Sequence, residues 1–307
     1  MFIAKDFIET GEGLLFAVVE HGVEQGRVLC FLRYALTEQG WQKQSTHQAN
    51  VLLRQRYPDY LYYSPTRDVH LHAVPVDRIS RHHQPRRRLL DIVRNSRHDP
   101  VEQDLLQLCR LYREHGLKPS DMGVTGSLLI GAQNPKSDID LVFYDRDQFH
   151  RARKVTRDLI EHSLLQGLSE SDWEEAYDRR SCHLNFADYV WHERRKYNKA
   201  LINGRKFDLG YVNHTTVAAE RFQKCGSIVL QCRILDVHQA FDYPALFKIE
   251  HPDIEAVVSF TATYTGQALV GETVEVSGHL EQSESGLKRI VVGSSREADG
   301  EYIKVVR

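Results

Sequence analysis

In the stretch GVTGSLLIGAQNPKSDIDLVFYD (residues 123–145), a Gly-Ser pair, Gly126-Ser127, is followed ten residues later by two aspartates, Asp138 and Asp140. The run DIDLVFYD alternates polar and apolar residues as a strand does. Asp138 and Asp140 are therefore expected to project from one face while Ile139 and Leu141 enter a core. Two carboxylates held this close raise one another's pKa unless they share a cation. Hard oxygen ligands in that arrangement suit Mg²⁺ or Mn²⁺. The glycine lets backbone approach a phosphate with no Cβ in the way, and the Ser127 hydroxyl and the following N–H groups can donate to phosphate oxygens. A metal platform beside a phosphate cradle is the equipment of phosphoryl transfer. The plain alternative is a polar turn ahead of an ordinary strand, because Gly-Ser and Asp-x-Asp are each common alone.

Three basic residues are candidates to assist. Lys136 stands just before the acidic pair and is either a triphosphate contact or a solvated loop lysine. A helix expected from Asp188 to Leu201 would put Arg195 and Lys199 on one face, four residues apart, for phosphate oxygens or simply for solvent. Tyr197 and Asn198 beside them are candidates for sugar or base contacts.

These residues need elements to hold them. Asp99 as N-cap, Pro100 at the first helical position and Glu102 at the third start a helix through LLQLCRLYREHG, which Gly116 ends. DMGVTG reads as a short strand into the turn, and helical periodicity returns in DQFHRARKVTRDLIEHSLL and SDWEEAYDRR. GRKFDLGYV is a further strand. Residues 1–75 read mostly as strands around one helical piece, THQANVLLRQRY, and the chain beyond Val217 is again rich in strand-like runs with glycines at the bends.

G-S-x(10)-D-x-D in this setting resembles the signature of the DNA polymerase β-like nucleotidyltransferase superfamily, which includes poly(A) and CCA-adding enzymes, aminoglycoside nucleotidyltransferases and protein-modifying adenylyltransferases. The phrasing GVTGSLLIG…SDIDLVFY is also similar to stand-alone predicted nucleotidyltransferases, chiefly archaeal. The likeness covers about a third of the chain, Pro100 to Val212. It implies a third carboxylate on a later strand, matched by Asp208 between the inward-facing Phe207 and Leu209. That acid would help bind the metal and accept the proton of an attacking hydroxyl. It also implies an NTP substrate, with Gly126 and Ser127 on the triphosphate and Asp138, Asp140 and Asp208 on the metal.

Net charge is -2, with 41% hydrophobic and 27% charged residues, as in an ordinary soluble protein. Charge is segregated along the chain. Residues 78–97 carry Arg78, Arg81, Arg86, Arg87, Arg88, Arg94 and Arg97, whereas residues 252–287 hold acids and no Lys or Arg. The basic stretch suits RNA or an acidic protein, or else a solvated helix face. Tyr57, Tyr60, Tyr62 and Tyr63 are either base-stacking platforms or half-buried sheet residues. His70, His72, His82 and His83 lack zinc-finger spacing and read as packing histidines. Cys30, Cys109, Cys182, Cys225 and Cys232 form no CxxC pair and are expected as reduced thiols. No apolar run approaches a membrane span, and the N-terminus does not read as a signal peptide, so a cytoplasmic protein is expected.

The expected fold class is α+β: a β-rich region (1–77), a basic linker or helix (78–98), a nucleotidyltransferase domain with a mixed sheet (99–215) and a β-rich barrel or sandwich (216–307). The expected reaction moves an NMP from an NTP to a hydroxyl, of an RNA 3′ end, a protein or a small molecule, and releases pyrophosphate. The alternative is a nucleotide- or RNA-binding module without turnover.

Overall fold

The computed structural model of the 307-residue chain describes residues 1–65, 69–180, 182–213, 220–294 and 298–307. Its class is α+β. Contacts divide it into two compact units, 1–155 with 201–219 and 156–200 with 220–307. The division cuts across the sequential segments expected above, because the chain leaves the first unit within one helix and re-enters it within one strand.

In the first unit, strands β1 (Phe7–Thr10), β2 (Leu14–Val18), β3 (Arg27–Thr37), β4 (Gly40–Lys43), β5 (Leu61–Ser64), β6 (Val69–Pro75) and β7 (Ile79–His83) form an antiparallel sheet in the order β5-β6-β3-β2-β1-β7, with β4 paired to β3. Helix α1 (Thr46–Arg56) begins in a capping box made by Ser45 and Gln48 and covers one face, where Ile8, Phe16, Leu32, Leu53 and Tyr60 are buried together. The opposite face carries a smaller apolar cluster, Phe7, Leu15 and Tyr34, flanked by Ala17 and Trp41. Several tyrosines and histidines of this region have partners within it, while Tyr63 and His70 are exposed. Tyr60 is fully buried with its hydroxyl on Glu12, and Tyr62 donates to Glu24. His72 accepts from the Leu32 N–H, and His82 and His83 pair with Asp6 and Glu9.

Helix α2 (Pro85–Arg94) takes up the middle of the basic stretch, and α3 (Pro100–Glu114) follows. Asp99 caps α3 as expected, its Oδ1 accepting from the N–H groups of Val101 (2.8 Å) and Glu102 (2.9 Å), a contact that stabilises a helix by ~1 kcal/mol. The Glu102 carboxylate does not close a capping box. It accepts instead from Arg88, whose guanidinium also donates to the Leu128 carbonyl.

A second, mixed sheet follows, with β8 (Met122–Thr125), α4 (Gly126–Ile130), β9 (Ile139–Phe143), α5 (Arg146–Glu161), α6 (Glu170–Asp178), α7 (Phe186–Arg194), β10 (Lys199–Ile202) and β11 (Arg205–Tyr211) in chain order. Its strand order is β10-β11-β9-β8, with β8 antiparallel and β11 parallel to β9. The expected helix from Asp188 to Leu201 is corrected. α7 stops at Arg194, Arg195 is its C-cap, Tyr197 takes a left-handed φ of 51°, and Lys199 already belongs to β10. A left-handed residue cannot continue a helix, so the 3.6-residue spacing of basic residues there was not a helix face.

The second unit is built on β12 (Phe222–Asp236), β13 (Ala245–Glu250), β14 (Ala256–Ser259), β15 (Thr273–Ser283), β16 (Lys288–Val292) and β17 (Tyr302–Val305), in the order β12-β13-β14-β16-β15-β17. β12 also pairs with β15, so five strands close a ring and β17 extends it. Phe247, Val257, Val274, Val276, Ile290 and Ile303 fill the core, with Trp173 of α6 and Tyr189 of α7 packed into the same cluster. The five cysteines are free thiols, three of them buried. Among the described residues no helix is long and apolar enough to cross a membrane.

Candidate functional site

The acidic residues converge through strand register. Ile139 and Leu141 of β9 and Phe207 and Leu209 of β11 are all buried, which leaves Asp140 and Asp208 facing the other way. In the parallel pairing Asp208 stands directly opposite Asp140, and on the antiparallel side Thr125, the last residue of β8, stands opposite Asp140 as well. Asp138 is exposed and immediately precedes β9 rather than lying within it. Burial raises the Asp140 pKa to about 6, and the charges of Asp208 and Asp138 push the same way against Lys5 and Lys43, which lower it.

The Gly-Ser turn closes on this acid. Gly126 has φ +66°, a left-handed conformation that favours glycine, and a Cβ built on it would overlap Asp140 Oδ2 and stand 3.4 Å from Asp140 Cγ. The Thr125 hydroxyl makes no cap bond to α4 and donates instead to the Lys5 carbonyl at 2.8 Å. The first-turn N–H groups of α4 and the half-exposed Ser127 hydroxyl therefore lie next to the acidic pair with no side-chain cap from Thr125. Leu129 and Ile130 on the far side of this short helix pack into the Phe7, Leu15 and Tyr34 cluster of the first sheet. Apolar burial on one side and the Arg88 bond to Leu128 on the other hold the turn in place.

The loop into β9 is tied down separately. The Asn134 N–H donates to Ser137 Oγ and the Lys136 N–H to Asn134 Oδ1, while Lys136 itself is exposed. Arg205 of β11 clasps the loop from beneath. Its guanidinium donates to the Pro135 and Ser137 carbonyls, each at 2.8 Å, and to Asp104 Oδ2 of α3 at 2.7 Å. Arg205 thus ties the strand of Asp208 to the loop that delivers Asp138. Sequence reasoning passed over it, since nothing in the spacing of KFDLGYV marks the preceding arginine as a clasp.

Arg195 and Lys199 have other partners. Arg195 lies over the Trp191 ring and pairs with Glu272 at 2.5 Å. Lys199 and the buried Lys196 both pair with Glu193, which is itself buried. Burial pushes that carboxyl up, but the two ammoniums outweigh it and hold Glu193 at about 2. Both residues lie in the second unit, each engaged in an ion pair there.

Asp138, Asp140 and Asp208 supply hard oxygen donors of the kind Mg²⁺ or Mn²⁺ takes, with Asp208 in register directly opposite Asp140. The donor set therefore fits such an ion. As placed, no group of three or more His, Cys, Asp or Glu side chains among the described residues is drawn together into a metal cage.

Across 99% of its length the chain is 35% identical, over 335 aligned positions, to the uncharacterized protein MJ1086 of Methanocaldococcus jannaschii, of which it covers 98%. No protein-family model and no solved structure matches the chain.

Proposed function

We propose that this chain, which belongs to the family of the M. jannaschii protein, is a nucleotidyltransferase that moves an NMP from an NTP to a hydroxyl acceptor. The observation that carries the reading is the meeting of Gly126 with Asp140, with Asp208 in register opposite. A phosphate cradle and paired carboxylates then lie side by side, as phosphoryl transfer requires. Ser127 and the first N–H groups of α4 hold the phosphates by hydrogen bonds and set the α-phosphorus in line with the acceptor. Asp208 takes the acceptor's proton. The hydroxyl oxygen forms the new bond to the α-phosphorus, the bond from that phosphorus to the bridging oxygen breaks, and pyrophosphate leaves with that electron pair. A Mg²⁺ or Mn²⁺ bound by Asp138, Asp140 and Asp208 would supply charge neutralisation of the triphosphate and a lowered pKa for the hydroxyl.

The test is incubation of the purified protein with each α-labelled NTP, Mg²⁺ or Mn²⁺ and cellular RNA, beside the Asp140→Asn form. Label on RNA or on the protein with the wild type alone supports the reading and names the acceptor class. The basic stretch at residues 78–97 favours RNA among the acceptors. A second reading, nucleotide binding without turnover, is favoured by the open placement of the acids. NTP binding with no pyrophosphate from any NTP would select it.

A further inference from the structure

The face of the N-terminal sheet that carries Phe7, Leu15 and Tyr34 does more than support α4. In the β3–β4 pairing Lys43 stands directly opposite Tyr34, so its ammonium emerges from the same face at the edge of the cluster that holds Leu129 and Ile130. Tyr34 packs with Leu129 and Ile130 of α4, the helix that begins at Gly126, which brings this edge of the sheet to the turn. Lys5 reaches the same place by another route. It sits just ahead of β1 with a left-handed φ of 75°, its N–H bonded to the Val18 carbonyl and its carbonyl to Thr125, the residue before Gly126. Both lysines are exposed. Two exposed cations from the N-terminal region thus stand beside the turn, Lys5 through its carbonyl on Thr125 and Lys43 through the cluster that packs on α4.

We propose, resting on the nucleotidyltransferase reading, that Lys5 and Lys43 bind the β- and γ-phosphates of the triphosphate and then the departing pyrophosphate, which makes the N-terminal sheet a working wall of the site. A lysine ammonium is a compact point charge with rotatable donors, suited to a phosphate tail that changes from bound triphosphate to leaving group. The sheet's apolar grip on Leu129 and Ile130 fixes where those charges stand relative to Gly126.

Titration calorimetry of the full chain tests this with three probes in Mg²⁺: tripolyphosphate, an NTP analogue with a methylene in place of the α–β bridging oxygen, and the matching NMP. The Lys5→Ala/Lys43→Ala variant is compared with wild type, with thermal melting to confirm that it folds. Its binding of the triphosphate probes is expected to weaken about tenfold or more, with NMP binding unchanged and with Lys43→Arg retaining most of the affinity. Wild-type affinity for both triphosphate probes in the double variant would overturn the inference and leave the nucleotidyltransferase reading standing. Lysine-dependent binding of tripolyphosphate, with no transfer from any NTP, would support these phosphate contacts while the catalytic reading fell. A wild type that bound none of the probes would overturn both.

Discussion

Gly126→Ala tests the geometry on which the functional reading depends. Its cost has two separable parts. An L-residue at φ +66° is strained by about 1–2 kcal/mol. The added methyl would also overlap Asp140 Oδ2, and relieving such an overlap by moving the carboxylate or β9 costs typically about 1–3 kcal/mol. The total, about 2–5 kcal/mol, corresponds to a fall in melting temperature of roughly 4–20 °C for a unit of this size. Gly131 supplies the internal control. It ends α4 at φ +69°, but a Cβ there meets nothing within 4 Å, so Gly131→Ala carries the conformational part alone. Melting curves of both variants isolate the contact with Asp140, and the labelled-NTP assay reads its consequence for transfer. Because the methyl displaces the acid and blocks approach of phosphate to backbone, Gly126→Ala is expected to lower turnover about 100-fold or more, while Gly131→Ala keeps most of it. Equal melting temperatures for the two variants, or wild-type transfer by Gly126→Ala, would refute the reasoning.

Other consequences are equally direct. Arg205→Ala unties the Pro135 and Ser137 carbonyls and leaves Asp104 without its partner, so turnover should drop about 10- to 100-fold by misplacement of Asp138, with only partial rescue by Arg205→Lys, which lacks the planar fork. The readout is kcat against KM for NTP across a Mg²⁺ titration, and an unchanged Mg²⁺ dependence would argue for a purely structural clasp. Glu193→Gln strands the buried Lys196 ammonium and is expected to destabilise the chain by about 3–5 kcal/mol in urea unfolding. His192 is buried, with one ring nitrogen on the Asp188 carbonyl and the other accepting from the Val305 N–H, and burial lowers its pKa from 6.5 to about 4. Its folded-state value lies below its unfolded one, so its contribution is full above pH 6.5 and is lost as pH falls through about 4. The loss is worth about 3 kcal/mol, read as the difference in melting temperature between wild type and His192→Gln at pH 7 and pH 4.5.

Much of the architecture was legible where a local rule fixes it. Asp99-Pro100 starts α3 because its caps act within one turn, and the burial of Ile139, Leu141, Phe207 and Leu209 follows from strand alternation alone. The α7 region failed for a physical reason. Basic residues at helical spacing from 195 to 199 satisfied the periodicity, yet the left-handed Tyr197 and the pairing of Lys199 in β10 are set by tertiary contacts that one-dimensional spacing does not encode.

The candidate site divides along the same line. Gly126, Asp138 and Asp140 could be named because each has a chemical type at an interval that a strand or a turn makes meaningful, and Asp208 because the nucleotidyltransferase resemblance implies a third carboxylate on a later strand. Lys5, Lys43 and Arg205 could not, because their position depends on which face of one sheet rests on α4 and on which carbonyls a loop presents to β11. That division bears on how the site works. The acids and the glycine sit on or beside paired strands that bring them together in register, so substitutions there act on the reacting centre itself. The cations are brought in by long-range contacts, Lys43 through the apolar cluster of Phe7, Leu15, Tyr34 and Leu129 and Lys5 through its carbonyl on Thr125, and a cavity-forming change on the sheet side of that cluster, such as Leu15→Ala, would loosen the docking of the sheet on α4 without touching a charged residue. Weakened triphosphate binding in that variant, with the lysines intact, would be the signature of a wall that works only while it is docked.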